Sequence, residues 1–324
     1  MFVWLIRRIV QAAVVVWIMT IIVFVGLHLI GSPVDVLISP EAGPAERAQL
    51  MQQLGLDKSL WQQYWTFLFQ AWHGNLGISF VYNTPAIELI KERMPATLEL
   101  AFIALLLSII IGLPCGLIAG LRPNAWYSRL IMTGSVLGFS LPTFWVGLML
   151  IMVFSVNLGW LPSSGRGETR EMLGVHWSFL TVDGVQHLIL PALNLALFKI
   201  AMVLRLTRAG VREVSQMDYI KFARAKGLSS HRIISVHILK NIMIPVVTVV
   251  GLEFGSTIAF AVVTESIFAY PGMGKLIIDS INQLDRPVIV AYLMVIVMIF
   301  VTINLVVDVL YHLLDPRVRL EANV

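Results

Sequence analysis

The chain is 324 residues long, 58% hydrophobic and only 13% charged, with a mean hydropathy of +0.84. That composition excludes an ordinary soluble domain, and the length divides more naturally into membrane spans of about 20 apolar residues each. The formal net charge of +4 sits mainly between apolar runs, which marks membrane topology rather than nucleic-acid binding, and the single cysteine, Cys115, leaves no disulfide framework and no Cys-based metal site within the chain.

In chain order, Arg7 and Arg8 precede an apolar stretch over residues 9–30. This is longer than a signal-peptide core and lacks a small-residue cleavage site, so it is expected to be a retained first helix. Five further spans are predicted over 98–120, 130–156, 187–206, 242–264 and 288–310. An even number of spans puts both termini on one side. Segments 1–8, 121–129, 205–241 and 311–324 then carry 2, 2, 8 and 2 Lys and Arg residues, against eight on the opposite side. The contrast is greatest in short segments beside the spans, where cations set orientation, so both termini are expected inside, at the cytoplasmic face.

The outer segment 31–97 contains LGLDKSLWQQYWTFLFQAW at 54–72. Leu56, Leu60, Tyr64, Phe67 and Leu68 recur at helical spacing, with Asp57 as the expected N-cap. The pattern predicts an amphipathic helix at the membrane surface, with Trp61, Trp65 and Trp72 suited to the interface. Such a helix either packs on the spans or meets an outside partner. Within the spans, Gly112, Gly116 and Gly120 lie four apart on one face, a device for close backbone approach that Gly134 with Gly138 and Gly251 with Gly255 repeat. Pro114, Pro142 and Pro245 lie within or beside spans, where freed backbone groups need partners.

Ionisable groups in the spans are few: Glu99, Lys199, Glu253, Asp308, and His28 near an end. Glu99 and Asp308 lie near span ends and are expected to reach water. Lys199 either snorkels inward or faces a polar cavity or a partner subunit. Glu253, flanked by the glycines of the fifth span, is the best candidate for a residue lining a cavity, since a charge in the membrane is costly without a use.

The stretch RLTRAGVREVSQMDYIKFARAKGLSSHRIISVHILK, residues 205–240, is basic, too polar to cross a bilayer and too patterned for a slack linker. On the inner side it reads as a docking surface for a soluble partner. Further on, Glu265, Phe268, Pro271, Gly272 and Gly274 place one proline and two glycines within four residues. This predicts a tight re-entrant turn outside the fifth span that closes over a site, or a plain surface loop with Glu265 as a cap.

No zinc-binding His pair, nucleophile elbow or Walker phosphate loop is present in the sequence. His231 and His237, six residues apart, do not share a helical face. A transporter without a phosphate loop draws its energy from a gradient or from another polypeptide, and the basic stretch favours the second.

Asp218 and Tyr219, followed by FARAKGLSSHRIISVHILKNIMIP at 222–245, resemble the cytoplasmic loop of binding-protein-dependent ABC importer permeases, closest to the dipeptide/oligopeptide/nickel branch. WLIRRIV near the N-terminus, HGNLGISF at 73–80, RMPATLELA at 93–101, GWLPSSG at 159–165, HLILPAL at 187–193, TESIFAYPGMGKLIIDSI at 264–281 and LLDPRVR at 313–319 continue the likeness along almost the whole chain.

The resemblance implies an all-α membrane protein of six transmembrane helices with the type I ABC importer permease fold, in a bacterial-type inner membrane. It divides as residues 1–97, the first span and outer segment, and 98–324, a five-span core with a coupling loop at 207–241. It implies a second homologous permease, two cytoplasmic ATPases that hold ATP and Mg, and an extracytoplasmic solute-binding protein, with no cofactor on this chain and no nucleic acid. Tyr219, Ala223, Arg224, Ala225, Lys226 and Gly227 would form a coupling helix seated in an ATPase groove, and His237, Asn241 and Pro245 would begin the next span. Two positions depart from the family pattern: Lys221 stands where the wider signature has an acidic residue, and Asn75 stands where Asp is expected. The cargo is open among dipeptides, longer peptides, glutathione, nickel chelates and opines. A gradient-driven transporter or channel and an intramembrane enzyme are the alternatives.

Overall fold

The computed structural model describes residues 2–29, 34, 38, 43–53 and 55–314, so the end of the LLDPRVR motif lies outside the described residues. The chain falls into two compact units, Met1–Met94 with Leu276–Thr302 and Pro95–Lys275 with Ile303–Val324. Among the described residues five helices are long and apolar enough to cross a membrane, six when one bent pair counts as a single span.

In the first unit, α1 (Phe2–Leu29) is followed by α2 (Pro44–Gln53) and α3 (Leu60–Trp72). The amphipathic helix is present, but its N-cap is Ser59, whose hydroxyl accepts from the Gln62 amide at 3.4 Å; Asp57 lies in the preceding turn. Ser59 has the extended backbone that a cap requires, with ψ of 148°. The helix seats on α1 through buried Tyr64, whose hydroxyl lies 2.9 Å from Thr20 Oγ1 and whose ring lies 5.3 Å from that of Phe24. Trp61, Trp65 and Trp72 face away and are exposed. The HGNLGISF motif continues as a turn held to Asp285, whose carboxylate accepts from Ser79 Oγ and, at 3.1 Å, from the Phe80 amide. Asn75 accepts from the Gly77 amide at 3.2 Å, a turn contact that a neutral side chain makes as well as a charged one.

The long helix α4 (Ala86–Leu121) carries the chain into the second unit. There α5 (Trp126–Ser140) and α6 (Thr143–Asn157) replace the single third span expected over 130–156, meeting at 107°. Leu141 and Pro142 are both extended at the break, because proline lacks an N–H and pushes the residue before it out of helical geometry. A short antiparallel hairpin, β1 (Arg170–Met172) with β2 (Val175–Trp177), leads into α7 (Val182–Gln216). After the short α8 (Asp218–Ala225) come α9 (Ser230–Ile267), α10 (Met273–Asn282) and α11 (Arg286–Leu314).

The glycine row of α4 meets α7. A Cβ on Gly116 would stand 2.6 Å from both the Leu204 carbonyl oxygen and Thr207 Cβ, and one on Gly120 would stand 2.7 Å from Val211 Cβ. Gly251 makes the same kind of approach to Val307. Gly134 does not, because an added Cβ there meets nothing within 4 Å. Gly116→Ala should therefore lower stability by ~1–3 kcal/mol through overpacking, whereas Gly134→Ala, at an open helical position, should raise it by up to ~1 kcal/mol. Thermal unfolding of the two variants in detergent checks this.

Candidate functional site

Three places in the second unit carry the polar chemistry: the basic connection between α7 and α9, an ion pair inside the spans, and the turn after α9. At 35 residues α7 is about 52 Å long and at 38 residues α9 is about 57 Å, well beyond a hydrocarbon core of about 30 Å. The stretch expected as a loop over 207–241 is thus mostly helix. Residues 207–216 extend α7, residues 230–241 begin α9, and only 217–229 connect them around α8.

Periodicity decides which face α8 presents. Ile220 and Ala223, three apart, are buried against Val211, Ile233, Ile238 and Ile242. Ala223 therefore belongs to the seat of the helix within its own chain, a correction to its expected place on the docking face; Ala225 is exposed. The outward face carries Tyr219 and Phe222, the latter 61% exposed, with Arg224 and Lys226 beside them. Lys226 Nζ lies 4.6 Å from the Phe222 ring centroid, a cation–π contact that orients both. Lys221 bonds Asp218 at 2.8 Å and holds that carboxylate below its ordinary range.

Gly227 ends the helix in left-handed backbone with φ of +75°. Its amide reaches the Arg224 carbonyl at 2.9 Å and the Leu228 amide reaches that of Ala223 at 3.2 Å, the paired bonds of a Schellman cap. Open space surrounds the position, so only backbone geometry favours glycine there. Asn241 braces the helix from α9, with Nδ2 3.2 Å from Tyr219 Oη and 2.5 Å from the His237 carbonyl. His237 sits in a π-helical turn, Ile233–Leu239, and Pro245 lies inside α9 rather than at its start.

Inside the spans, Lys199 of α7 bonds the Glu253 carboxylate of α9 and, at 3.0 Å, Ser256 Oγ. The Lys199 side chain is almost fully buried, whereas a quarter of that of Glu253 stays exposed. The two stand 54 positions apart, so their pairing carries no spacing signal in the sequence. Glu99 is also corrected. It does not reach water but is buried, paired with Arg166 at 2.9 Å and accepting from the Phe179 amide at 2.7 Å, which ties the segment around the hairpin to α4.

The turn after α9 is drawn together around Glu265. Its buried carboxylate accepts from Thr97 Oγ1 at 2.6 Å and the Lys275 amide at 2.9 Å, while Thr97 Oγ1 accepts from the Met273 amide at 2.8 Å. Gly272 and Gly274 are needed because a Cβ on either would run into Glu265. Phe268 is buried in the core cluster with Leu100, Leu190 and Tyr270, and Pro271 is half-buried at the rim. The five residues come together as a turn of fixed shape.

Residues 112–320 match the family described as "Binding-protein-dependent transport system inner membrane component", and residues 1–101 match its N-terminal counterpart. Curated relatives include the Di/tripeptide transport system permease protein DppB of Pseudomonas aeruginosa, 40% identical over 314 residues covering 93% of this chain and 94% of that protein. The Dipeptide transport system permease protein DppB of Escherichia coli K12 is 37% identical over 93% of this chain and 94% of its own length. The Glutathione transport system permease protein GsiC of the same strain is 38% identical over 98% of each. Among solved structures, the inward-facing MetNI methionine ABC transporter superposes with a TM-score of 0.54 at 15% identity, covering 70% of this chain and 96% of that one, a likeness of fold.

Proposed function

This chain belongs to the family of binding-protein-dependent transport system inner membrane components, and on that premise we propose that it forms half of the translocation pathway of an ATP-driven importer for di- or oligopeptides. A second, similar permease supplies the other half, two cytoplasmic ATPases hold the ATP and Mg, and an extracytoplasmic binding protein delivers cargo. The observation that carries the coupling role is α8, whose underside is sealed onto its own chain by Ile220 and Ala223 while Tyr219, Phe222, Arg224 and Lys226 stay uncovered. A helix seated in this way transmits displacement as a rigid handle. The peptide class rests on the relatives, whose names specify dipeptides, tripeptides and glutathione.

In this reading both termini are cytoplasmic, ATP binding draws the ATPases together, and their grooves carry α8 and the ends of α7 and α9 with them. The bundle rocks outward and the docked binding protein releases its peptide. Glu253, on the face of α9 that also leaves Phe260 uncovered, lines the pathway. The turn that buried Glu265 holds together, with Pro271 at its rim, gives the binding protein a surface of fixed shape.

The test is purification of the tagged chain from its native membrane, followed by reconstitution. The expected result is a complex with a second permease and two ATPases that takes up dipeptides only with ATP and binding protein. A chain isolated alone that transports on a gradient would replace this reading with a secondary carrier. Gly227→Asp should leave hydrolysis uncoupled from uptake or block assembly, and full uptake by a normally assembled Gly227→Asp complex would remove α8 from the coupling role.

A further inference from the structure

Charge inside the spans does not end with the Lys199–Glu253 pair. Arg205 follows on α7, and among the described residues its guanidinium has no ion pair and no hydrogen bond. It meets an aromatic ring instead, with Cζ 4.3 Å from the centroid of Phe139 in α5. The Phe139 ring is itself stacked on Phe198 at 4.6 Å, and Phe198 stands two helical turns further into the span than Arg205. A long cation at a span end ordinarily reaches out to the headgroups; this one is drawn back along the span. Phe198 also lies 5.6 Å from Lys199 Nζ. Arg205, Phe139, Phe198, Lys199 and Glu253 thus form one continuous row across α5, α7 and α9.

The two ends of the row differ in charge. Glu253 Oε2 takes both Lys199 and Ser256, whereas Oε1 takes no hydrogen bond among the described residues and a quarter of the side chain is exposed. Arg205 is half-buried and Phe139 is 44% exposed. One end therefore offers a free carboxylate oxygen, the other an unpaired planar cation, and an open aromatic face lies between them. An unpaired charge in a span is costly unless water or a ligand meets it. The step from Lys199 to Arg205 rises about 9 Å along α7, which two to three residues of extended peptide cover at about 3.3–3.6 Å each. We propose that Arg205, Phe139 and Glu253 are this chain's half of a binding station for a di- or tripeptide in transit, completed by the second permease. Arg205 takes the C-terminal carboxylate through its guanidinium fork, Glu253 Oε1 accepts from the N-terminal ammonium, and the peptide backbone lies over Phe139. Because Lys199 already offsets the charge of Glu253, the carboxylate end is the stronger contact. The station rests on the reading of this chain as a peptide importer permease.

The test is saturation-transfer NMR on the purified importer complex in nanodiscs, without nucleotide or binding protein. The probes are alanyl-phenylalanine, its C-terminal amide and its N-acetyl derivative. Amidation should weaken binding about tenfold and acetylation about threefold. In Arg205→Gln the free peptide should bind as weakly as the amide, while the acetylation penalty persists. That variant should keep its thermal midpoint, since the Arg205 side chain has no hydrogen bond or ion pair to lose among the described residues. Equal binding of peptide and amide by the unaltered complex, or an amidation penalty that survives in Arg205→Gln, removes Arg205 and with it the station. Acetylation without effect removes Glu253 and the two-ended recognition. A complex that imports the dipeptide with ATP and binding protein yet binds none of the three probes overturns the station and leaves the importer reading standing; a complex that imports no peptide overturns both.

Discussion

If α8 is the coupling element proposed above, truncating Phe222 to alanine should weaken docking of the ATPase subunits by about 30-fold or more, the loss expected for an aromatic anchor worth ~2 kcal/mol at the centre of an interface. The side chain is 61% exposed, so the variant chain should keep its fold and its thermal midpoint. What changes is association with the ATPases, read by titrating them onto the permease in nanodiscs, together with the ATP hydrolysis stimulated by loaded binding protein. The neighbouring Lys226 loses its cation–π partner, so Lys226→Ala should give a smaller defect of the same kind. A Phe222→Ala permease that binds its ATPases normally and imports at full rate would mean that α8 docks by another face. The underside is not available for that, because Ile220 and Ala223 are already occupied by this chain's own core.

The largest effect on stability is expected at the ion pair in the spans. Lys199→Met leaves the Glu253 carboxylate with Ser256 as its remaining side-chain partner in α9. Removing one member of a buried pair costs roughly 3–5 kcal/mol, and the exposed quarter of Glu253 places this case near the lower value. Most of the folded chain should be lost from the membrane. The double variant Lys199→Met with Glu253→Gln removes both charges and should recover to within ~1 kcal/mol of the unaltered chain. Transport separates structure from pathway. If Glu253 lines the route, the recovered double variant remains poor at peptide uptake; if uptake recovers along with stability, the pair only holds α7 to α9. A double variant as unstable as the single one would mean that packing, not charge, is decisive there.

Much of this chain was legible from residue order because membranes impose simple rules. Runs of apolar residues of the required length define the predicted spans, and that length does not depend on distant contacts. The glycines of α4 were readable for the same reason: a four-residue repeat is a local pattern, and α7 does pack against it. Gly134 carried the same pattern but found no neighbour, since spacing specifies a smooth helix face and not what lies opposite.

The errors fall where the outcome depended on a second segment. Ala223 has the size suited to a docking surface, yet the course of α9 brings Ile233, Ile238 and Ile242 over it. Glu99 stood close enough to a span end to be read as hydrated, until the segment before the hairpin delivered Arg166. Lys199 and Glu253 each looked like an isolated charge, and their pairing exists only because α7 and α9 lie side by side. By itself the sequence determined the class, five of the long apolar helices and the family, all written in local composition and motif order. The tertiary structure alone decided which face of α8 is free, which charges are paired and what Glu265 holds, because each is a contact between segments far apart in the chain.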